Sequence, residues 1–330
     1  MELAEADGKR HSASPRLVAL RALGLGDFLT AVPALRALHD AFPDHHRVLA
    51  APAPLRGLAE LSGAVDRLVP TEGLAPLAAE LHAAELAVNL HGRGPRSHQM
   101  LLAARPQRVV AFAHPDVAEA AGGPAWREEE HEAIRWCRLL QESGIPADPG
   151  RLDLPHPAQR PLQGAQGATV IHPGGAFAAR RWPPSRWAGV ARHEAAAGRA
   201  VMITGGRQEV QLARDVARRA GLPLTAVQAG STDLLALAAV VAAAGRVVCG
   251  DTGVAHLATA LRTPSVVLFG PESPARWGPP PDRPWHRALW AGARGDPHGS
   301  EPDPGLLRLE VADVVAALED LPAPTASRRP

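Results

Sequence analysis

The sequence predicts an α/β protein with two similar halves, each built on a parallel sheet. Short apolar segments alternate with segments of helical spacing along most of the chain, which is typical of parallel sheets covered on both faces. Residues 150–167, rich in Pro, Gly and Gln, interrupt this alternation, and it restarts after them. The length of 330 residues also fits two domains, because a domain averages roughly 150 residues.

The first half begins with an apolar strand at residues 16–22, followed by the glycine turn Gly24 to Asp27. A helix is predicted at residues 28–42, because the apolar residues recur with helical spacing until Pro43. Further strands are predicted at residues 47–51, 85–90 and 108–112. The stretch at 150–167 that follows them is the predicted linker.

The second half repeats the alternation of strands and helices. Its predicted strands are residues 168–172, 200–204, 224–228, 246–249 and 265–269. Its predicted helices are residues 185–197, capped by Ser185, and residues 207–220, 233–244 and 254–261. Prolines and glycines dominate residues 270–304, which predicts ordered coil, and residues 306–321 form a final amphipathic helix.

These elements divide the chain into five predicted segments. They are a disordered extension at residues 1–15, a first domain at 16–160, a second domain at 161–305, a C-terminal helix at 306–321 and a disordered tail at 322–330. Ligands of open α/β sheets bind beyond the carboxyl ends of the parallel strands. We therefore expect the functional residues in the loops after the strands, facing a cleft between the two halves.

The composition excludes several classes of protein. Hydrophobic residues make up 46% and charged residues 21% of the chain, which excludes a mainly disordered protein. The formal net charge of +1 gives no general attraction to nucleic acid. The two cysteines, Cys137 and Cys249, are too few for a disulfide scaffold or a four-thiolate zinc site. Because Lys9 is the single lysine, arginine must supply almost every cation.

The chain is expected to have neither a signal peptide nor a membrane span. Residues 1–14 are polar, and the longest apolar run, residues 234–244, is shorter than the roughly 18 residues that a spanning helix needs. We expect a monomer in the cytoplasm, and peripheral contact with the inner membrane stays open.

The glycine turn of the first half has two interpretations. Its glycines let the backbone approach a ligand closely, and the helix start after it favours an anion. It is not a complete dinucleotide fingerprint, because residue 29 is Leu. Asp27 fits a helix N-cap as well as a catalytic carboxylate.

Two loops of the second half combine glycines with charged side chains. The loop from His172 to Gly175, with Arg180 and Arg181 after it, suits a diphosphate, although a solvated turn with surface arginines explains it equally. The segment Thr204 to Gly206 precedes Glu209. That carboxylate either accepts hydrogen bonds from ribose hydroxyls or favours the start of a helix.

A fourth loop, Gly250 to His256, follows a strand and opens a helix. Thr252 and Gly253 present backbone N–H groups at the positive end of that helix, which suits a phosphate. His256 lies one turn further and faces the same ligand. Capping by Asp251 and partial burial of His256 explain the residues without a ligand, but the number of polar groups beside glycine favours a binding site.

The sequence signal for acceptor-binding residues is less specific than the signal for the donor. The loop His91 to His98 contains Arg93 and Arg96, which suit an anionic acceptor or a basic surface loop. The histidines of this loop lack a third ligand at a suitable spacing, so no metal site is predicted. The acidic run Glu128 to Glu130 is interpreted as the start of a helix.

Taken together, the motifs resemble glycosyltransferase family 9, the bacterial heptosyltransferases of lipopolysaccharide assembly, from Arg16 to about Gly278. The segments that carry the resemblance are VALRALGLGDFLTAVPALRAL (18–38), IHPGG and RRWPPSRW (within 171–187), MITGGRQE (202–209) and CGDTGVAHLATALRTPSVVLFGP (249–271). The most specific pattern is D-T-G-x-x-H-x-A-x-A-x-x-x-P, which begins at Asp251.

The resemblance implies a GT-B fold, in which two Rossmann-like domains face a central cleft. It implies an inverting, metal-independent transfer of a sugar from a nucleotide-sugar donor, usually ADP-heptose, to a glycan or glycolipid hydroxyl. No cofactor is implied. In the family the final helix often returns to the first domain, a position that residues 306–321 would fill.

The family's functional residues also fall on positions of this chain. The implied base is Asp27. The implied nucleotide-sugar site comprises Gly26, Gly174, Gly175, Arg180, Glu209, Asp251, Thr252, Gly253 and His256. Within it, Arg180 stands where the family has a diphosphate-contacting Lys, and Glu209 corresponds to the ribose-contacting acid. Ala176 replaces a small hydroxyl residue that is common in the phosphate loop.

Three other classes stay open. The first is a GT-B enzyme with another donor, or an epimerase, and the second is a nicotinamide oxidoreductase, against which the incomplete glycine fingerprint argues. The third is a non-catalytic protein that binds sugar nucleotides, against which Asp27 together with the phosphate-binding set argues.

Overall fold

A computed structural model describes residues 15–322 of the chain and contains two parallel sheets of five strands each. The first sheet has the order β3-β2-β1-β4-β5. Its strands are β1 (Arg16–Leu20), β2 (His46–Ala51), β3 (Arg67–Pro70), β4 (Leu86–Asn89) and β5 (Arg108–Val110). The expected disorder at residues 1–14 and 323–330 lies outside the described residues.

The second sheet has a related topology. Its strands are β6 (Thr169–His172), β7 (Val201–Ile203), β8 (Arg246–Gly250), β9 (Ser265–Phe269) and β10 (His286–Trp290). Their order is β10-β9-β8-β6-β7. Both sheets thus reverse their strand order once, between β1 and β4 in the first and between β6 and β8 in the second, as doubly wound folds do.

Helices connect the strands and cover the sheets. They are α1 (Leu25–Ala41), α2 (Arg56–Ser62), α3 (Arg96–Ala103), α4 (Glu132–Glu142), α5 (Pro184–Ala196), α6 (Val210–Ala220), α7 (Leu234–Ala243), α8 (Gly253–Ala260), α9 (Pro274–Trp277), α10 (Pro304–Arg308) and α11 (Val311–Glu319). Leu17 of β1 belongs to one buried cluster and Val18 to another, so both faces of the first sheet are covered. This explains why the strands are apolar throughout.

The two halves pack against each other through α1 and α8. A Cβ atom added at Gly253 would lie 2.7 Å from the Cβ of Leu25, and one added at Gly26 would lie 2.8 Å from Cδ2 of His256. Glycine at both positions therefore allows the starts of the two helices to meet. Leu35 of α1 and Leu257 of α8 belong to the same hydrophobic cluster, which spans both halves.

Some predicted elements were wrong. Residues 224–228 form a 3₁₀ turn at Leu224–Ala226 and a single bridge from Val227 to Ile203 rather than a strand. Ser185 lies inside α5, whose N-cap position is Pro183, because a proline at the first helical position already sets the helical φ. The strands β3 and β10 were not predicted, and β10 lies in the stretch expected to be coil.

The C-terminal segment also differs from the expectation. It forms two helices, α10 and α11, rather than one, and α11 packs on α5 and β9 of the second half instead of returning to the first domain. Val314 and Leu318 join the buried cluster of the second half. The Trp182 Nε1–H group donates a hydrogen bond to the carbonyl of Leu309, between the two helices, at 3.0 Å. This bond and the buried face hold the C-terminal helix on its own domain.

Candidate active site

The residues predicted for function follow strands that border the two points of strand reversal. Asp27 follows β1, the loop containing Arg180 follows β6, and Asp251 follows β8. At the reversal of the first sheet, the carboxyl ends of β1 and β4 are direct neighbours, since Leu20 pairs with Asn89. Because parallel strands end at one edge of a sheet, these loops share that edge.

Asp27 lies in the first turn of α1, where its side chain is 30% exposed. The N-cap position of α1 is Gly24, so the interpretation of Asp27 as the N-cap was wrong. Its carboxylate forms an ion pair with Arg21, whose Nη2 lies 3.2 Å from Oδ1 of Asp27. Arg21 also donates from Nε to the backbone carbonyl of Asp27 at 2.9 Å. One guanidinium thus contacts both the carboxylate and the backbone of Asp27.

Arg21 is almost completely buried, at 1% exposure. It donates from Nη1 to the carbonyl of Leu90 at 2.5 Å and from Nη2 to Glu132 Oε2 at 3.3 Å, and it stacks on the ring of Trp136. Burial lowers the pKa of Arg21 to about 10, and the charge of Asp27 opposes this shift. The guanidinium is therefore cationic at neutral pH. The sequence analysis placed Arg21 in a strand and did not predict its contact with Asp27. The signal that could have indicated this contact is a single arginine at the end of an apolar segment.

Arg180 and Asp251 approach each other across the loops after β6 and β8. Nη1 of Arg180 lies 3.4 Å from Oδ2 of Asp251. Nonetheless Nε of Arg180, Oδ2 of Asp251 and Oγ1 of Thr252 are buried without a hydrogen-bond partner. Unsatisfied buried polar atoms cost free energy, so three of them side by side indicate a place that a polar ligand completes.

The pKa of Asp251 rises to about 6, chiefly because the carboxyl is buried. The charge of Arg180 lowers it, whereas the charges of Glu272 and Asp27 raise it further. Asp27 and Asp251 thus lie close enough for their charges to interact. The loops that carry them come together where Leu25, at the start of α1, meets Gly253, at the start of α8.

The start of α8 follows Asp251 directly and adds backbone N–H groups to this part of the second half. Thr252 is the N-cap residue of α8 and forms no side-chain capping bond, and Gly253 is the first helical residue. N–H groups at the positive end of a helix favour an anion. At Gly250 a Cβ atom would lie 3.1 Å from the carbonyl oxygen of Arg180, so the loop carrying Arg180 comes close to the end of β8.

His256 lies between the two halves. Its ring packs against Gly26 and lies 5.8 Å, between ring centroids, from Trp277. Burial lowers the pKa of His256 to about 3, and the charges of His131, Arg21 and Arg180 act in the same direction. His256 is therefore a neutral imidazole at pH 7, which can form hydrogen bonds but carries no charge.

Glu209 ties two glycine loops together. Its carboxylate accepts hydrogen bonds from the backbone N–H groups of Gly175 at 2.9 Å and of Gly206 at 2.7 Å. A Cβ atom at Gly174 would lie 2.0 Å from Oε1 of Glu209, so the glycine leaves room for this carboxylate in its present position. Nε2 of His172 lies 3.8 Å from Oε2 of Glu209. These contacts give Glu209 a structural role beside the ribose contact that the resemblance implies.

Comparisons with known proteins identify the family of the chain. The family model described as glycosyltransferase family 9 (heptosyltransferase) matches residues 128–292, half of the chain. The chain belongs to glycosyltransferase family 9. No curated protein sequence matches it.

Solved structures of this family share its fold. A family 9 glycosyltransferase from Veillonella parvula has a TM-score of 0.74 at 19% identity, covering 92% of this chain and 96% of its own. The ADP-heptose lps heptosyltransferase II of E. coli has a TM-score of 0.73 at 19% identity, with coverages of 92% and 97%. The E. coli heptosyltransferase WaaC, solved with ADP, has a TM-score of 0.68 at 18% identity, with coverages of 92% and 99%. The family 9 chain described here therefore has the GT-B fold and is a glycosyltransferase.

The two arginines predicted for the acceptor make no recorded contact with Asp27 within the described residues of this glycosyltransferase. Arg93 is 68% exposed and reaches Glu128 at 4.0 Å. Arg96 begins α3 and lines a surface groove of about 350 Å³ with Leu77 and Met100. Among the described residues no hydrogen bond or ion pair links either arginine to Asp27. Their role toward an acceptor stays a prediction.

The acidic run before α4 is not a helix start. The helix begins at Glu132 and is capped by His131, whose Nδ1 accepts the N–H of Ala133 at 3.2 Å. The three glutamates pair with arginines instead, in the pairs Glu128–Arg276, Glu129–Arg294 and Glu130–Arg138. Arg276 and Arg294 belong to the second half, so the run links the two halves of the enzyme. Spacing alone does not reveal such partners.

Residues 15–322 contain no group of three or more His, Cys, Asp or Glu side chains arranged to hold a metal ion. Over the same residues, no helix is long and apolar enough to cross a membrane.

Proposed function

We propose that this family 9 enzyme transfers a sugar, with inversion, from a nucleotide-sugar donor to a hydroxyl group of a glycan or glycolipid acceptor. The observation that carries the proposal is that Asp27, held by Arg21, follows the start of α1, and the unsatisfied polar atoms of Asp251 and Thr252 precede α8. The starts of these two helices meet at Leu25 and Gly253. We further propose an ADP-linked heptose as the donor. The E. coli relatives support this choice, since one is named for ADP-heptose and another was solved with ADP.

Asp27 is the proposed general base. A bond forms between the acceptor oxygen and the anomeric carbon, the bond from that carbon to the diphosphate breaks, and the hydroxyl proton passes to Asp27. Attack from the side opposite the leaving group inverts the anomeric centre. The ion pair with Arg21 supports the proposal because a base must be held within hydrogen-bond reach of the proton it takes.

The leaving diphosphate is the proposed ligand of Arg180, Thr252 and the start of α8. The free Nε–H of Arg180 and the hydroxyl of Thr252 are unpaired donors, and Gly253 opens a helix whose N–H groups favour an anion. Preorganised donors at a site of developing charge are each worth roughly 3 kcal/mol of barrier. We propose that these groups stabilise the leaving group without a metal ion.

We place the reaction in the cytoplasm, with the acceptor presented at the inner face of the membrane. The observation compatible with this placement is that no helix within residues 15–322 could span a membrane. We propose donor binding in the second half, around Arg180, and acceptor binding in the first half, around Asp27.

A donor panel tests the proposed function. The purified enzyme is incubated with heptose-free lipopolysaccharide core and, in turn, with ADP-heptose, ADP-glucose, UDP-glucose and GDP-mannose, and nucleotide release is measured. We expect release from ADP-heptose that depends on the acceptor. Release from another donor alone would replace the proposed donor. Binding of ADP without release from any donor would contradict transfer and indicate a non-catalytic binding protein.

A further inference from the structure

His91 lies beside the proposed base at the strand reversal of the first sheet. One residue, Leu90, separates it from the end of β4, and Leu90 donates its N–H to the carbonyl of Leu20 at 3.1 Å. The carbonyl of Leu90 accepts a hydrogen bond from Arg21, the arginine that also holds Asp27. One guanidinium therefore fixes both the base and the backbone from which His91 projects.

The backbone at His91 is fixed further by buried polar contacts. Its N–H group donates to Oδ1 of Asn89 at 2.9 Å. The amide nitrogen of Asn89 in turn reaches Oγ of Ser97 at 2.9 Å and Nδ1 of His98 at 3.0 Å. Asn89 and His98 are completely buried. These contacts fix the backbone from which the His91 side chain projects, as a binding group on a rigid support requires.

The side chain of His91 has an unused hydrogen-bonding atom. Its Nδ1 is buried and has no hydrogen-bond partner. Buried polar groups of proteins nearly always have partners, so an exception next to a catalytic carboxylate indicates a missing ligand. Because β4 pairs with β1, His91 leaves the same edge of the first sheet as the turn that carries Asp27.

The imidazole is also in a suitable protonation state. Burial lowers the pKa of His91 to about 4, the charge of Arg21 lowers it as well, and Asp27 opposes both. The ring is therefore neutral at pH 7, with one nitrogen that donates and one that accepts. A neutral ring can form a hydrogen bond with a sugar hydroxyl, and its lowered pKa makes it a weak proton acceptor.

We propose that His91 is an acceptor-binding residue, whose Nδ1 forms a hydrogen bond with a hydroxyl of the acceptor sugar next to Asp27. The proposal rests on the proposed function, because it assumes a polyhydroxylated acceptor at that carboxylate. It adds a specific contact on the first half, where Arg93 and Arg96 make none with Asp27. The acceptor hydroxyl then lies between two groups that Arg21 holds in place.

Three variants test the proposal with ADP-heptose and heptose-free lipopolysaccharide core. His91→Ala removes the ring, and His91→Asn keeps a polar atom near the position of Nδ1. His39→Ala, at an exposed histidine in the last turn of α1, is the matched control. We expect His91→Ala to lower kcat/KM for the acceptor about 10- to 100-fold, the effect of one lost hydrogen bond to the reacting sugar.

The pattern of the other parameters separates binding of the acceptor from a purely structural role. The KM for the donor and the affinity for ADP should stay within about twofold of the wild-type values. The melting temperature should stay within about 3 °C of the wild-type value, as expected when no core contact is lost. His91→Asn should recover kcat/KM to within about fivefold of the wild type. His39→Ala should match the wild type throughout.

The results that overturn the proposal are distinct from those that overturn the function. If the wild type transfers sugar and His91→Ala retains its kcat/KM for the acceptor within threefold, His91 does not bind the acceptor, and the proposed function stands. The same conclusion follows if His91→Asn is as impaired as His91→Ala, or if donor and acceptor parameters fall together. A wild-type enzyme that transfers no sugar from any donor overturns both proposals.

Discussion

At the scale of single residues, the site depends on charged groups that are buried in pairs. Arg21 is held between Asp27 and Glu132, and Arg180 faces Asp251. A buried charge is costly unless a partner compensates it, so each of these groups constrains the position of the other. Asp251 is the least compensated of them, since burial raises its pKa to about 6.

We expect the affinity for a nucleotide diphosphate ester to depend on Asp251. Below about pH 6 the carboxyl is protonated and neutral, and above it the carboxylate repels the diphosphate, so affinity should fall as the pH rises through 6. The slope is at most about tenfold per pH unit, because one proton is involved. Titration calorimetry with ADP-ribose, whose diphosphate does not itself titrate in this range, measures it between pH 5 and pH 8.

The matched variant for this experiment is Asp251→Asn, which keeps the shape of the side chain and removes its charge. It should bind ADP-ribose with nearly the same affinity at every pH, as tightly as the wild type does at pH 5. An identical pH dependence in the wild type and in Asp251→Asn would assign the titration to another group.

The sequence predicted the residues of the loops but not how they are held. Asp27, Arg180 and Asp251 follow glycines at strand ends, and such local patterns are visible in the sequence. The partnership of Arg21 with Glu132 joins positions 111 residues apart, and it depends on how α4 packs on α1. The lack of a hydrogen-bond partner at the buried Nδ1 of His91 is likewise a result of tertiary packing. No spacing rule reveals either.

At the scale of elements, the contact between α1 and α8 brings the two halves together. Its closest approach lies at Gly253, opposite Leu25 at the start of α1. The glycine does not adopt a positive φ, so its small size is what the contact needs. Packed helices approach this closely only where a side chain is missing.

We expect Gly253→Ala to reduce sugar transfer at least tenfold, because its Cβ would lie 2.7 Å from the Cβ of Leu25 and must push the two helices apart. A misplacement of about 1 Å at a reacting centre costs on the order of 100-fold in rate. Steady-state kinetics of nucleotide release measures the effect. Gly57→Ala is the control, because its Cβ would lie 3.4 Å from Leu235, an ordinary contact between the halves. Equal activity of the two variants would show that the spacing of α1 and α8 does not control the reaction.

The elements that sequence reasoning missed share a physical cause. β10 begins with His286 and Arg287 and forms the edge of the second sheet, so it lacks the apolar run of the central strands. Residues 224–228 have an apolar character but make only one bridge to β7. Whether each segment forms a strand depends on its position in the sheet, and that position cannot be read from a single sequence.

At the scale of the whole molecule, the two halves form a GT-B glycosyltransferase whose predicted functional loops lie at the strand reversals of both sheets. The half-to-half contacts include the hydrophobic cluster shared by α1 and α8 and the ion pairs Glu128–Arg276 and Glu129–Arg294. The net charge of +1 fits a protein that binds phosphate through a few placed groups. The C-terminal helix adds to the second half rather than to the contact.

The single measurement that tests the central claim most directly compares Asp27→Asn with the wild type. Sugar transfer from ADP-heptose to heptose-free lipopolysaccharide core and the affinity for ADP are measured on the same preparations. We expect transfer to fall at least 100-fold, as for loss of a general base, while the affinity for ADP changes by less than about threefold. Transfer by Asp27→Asn within tenfold of the wild type would contradict the assignment of Asp27 as the base and the mechanism built on it.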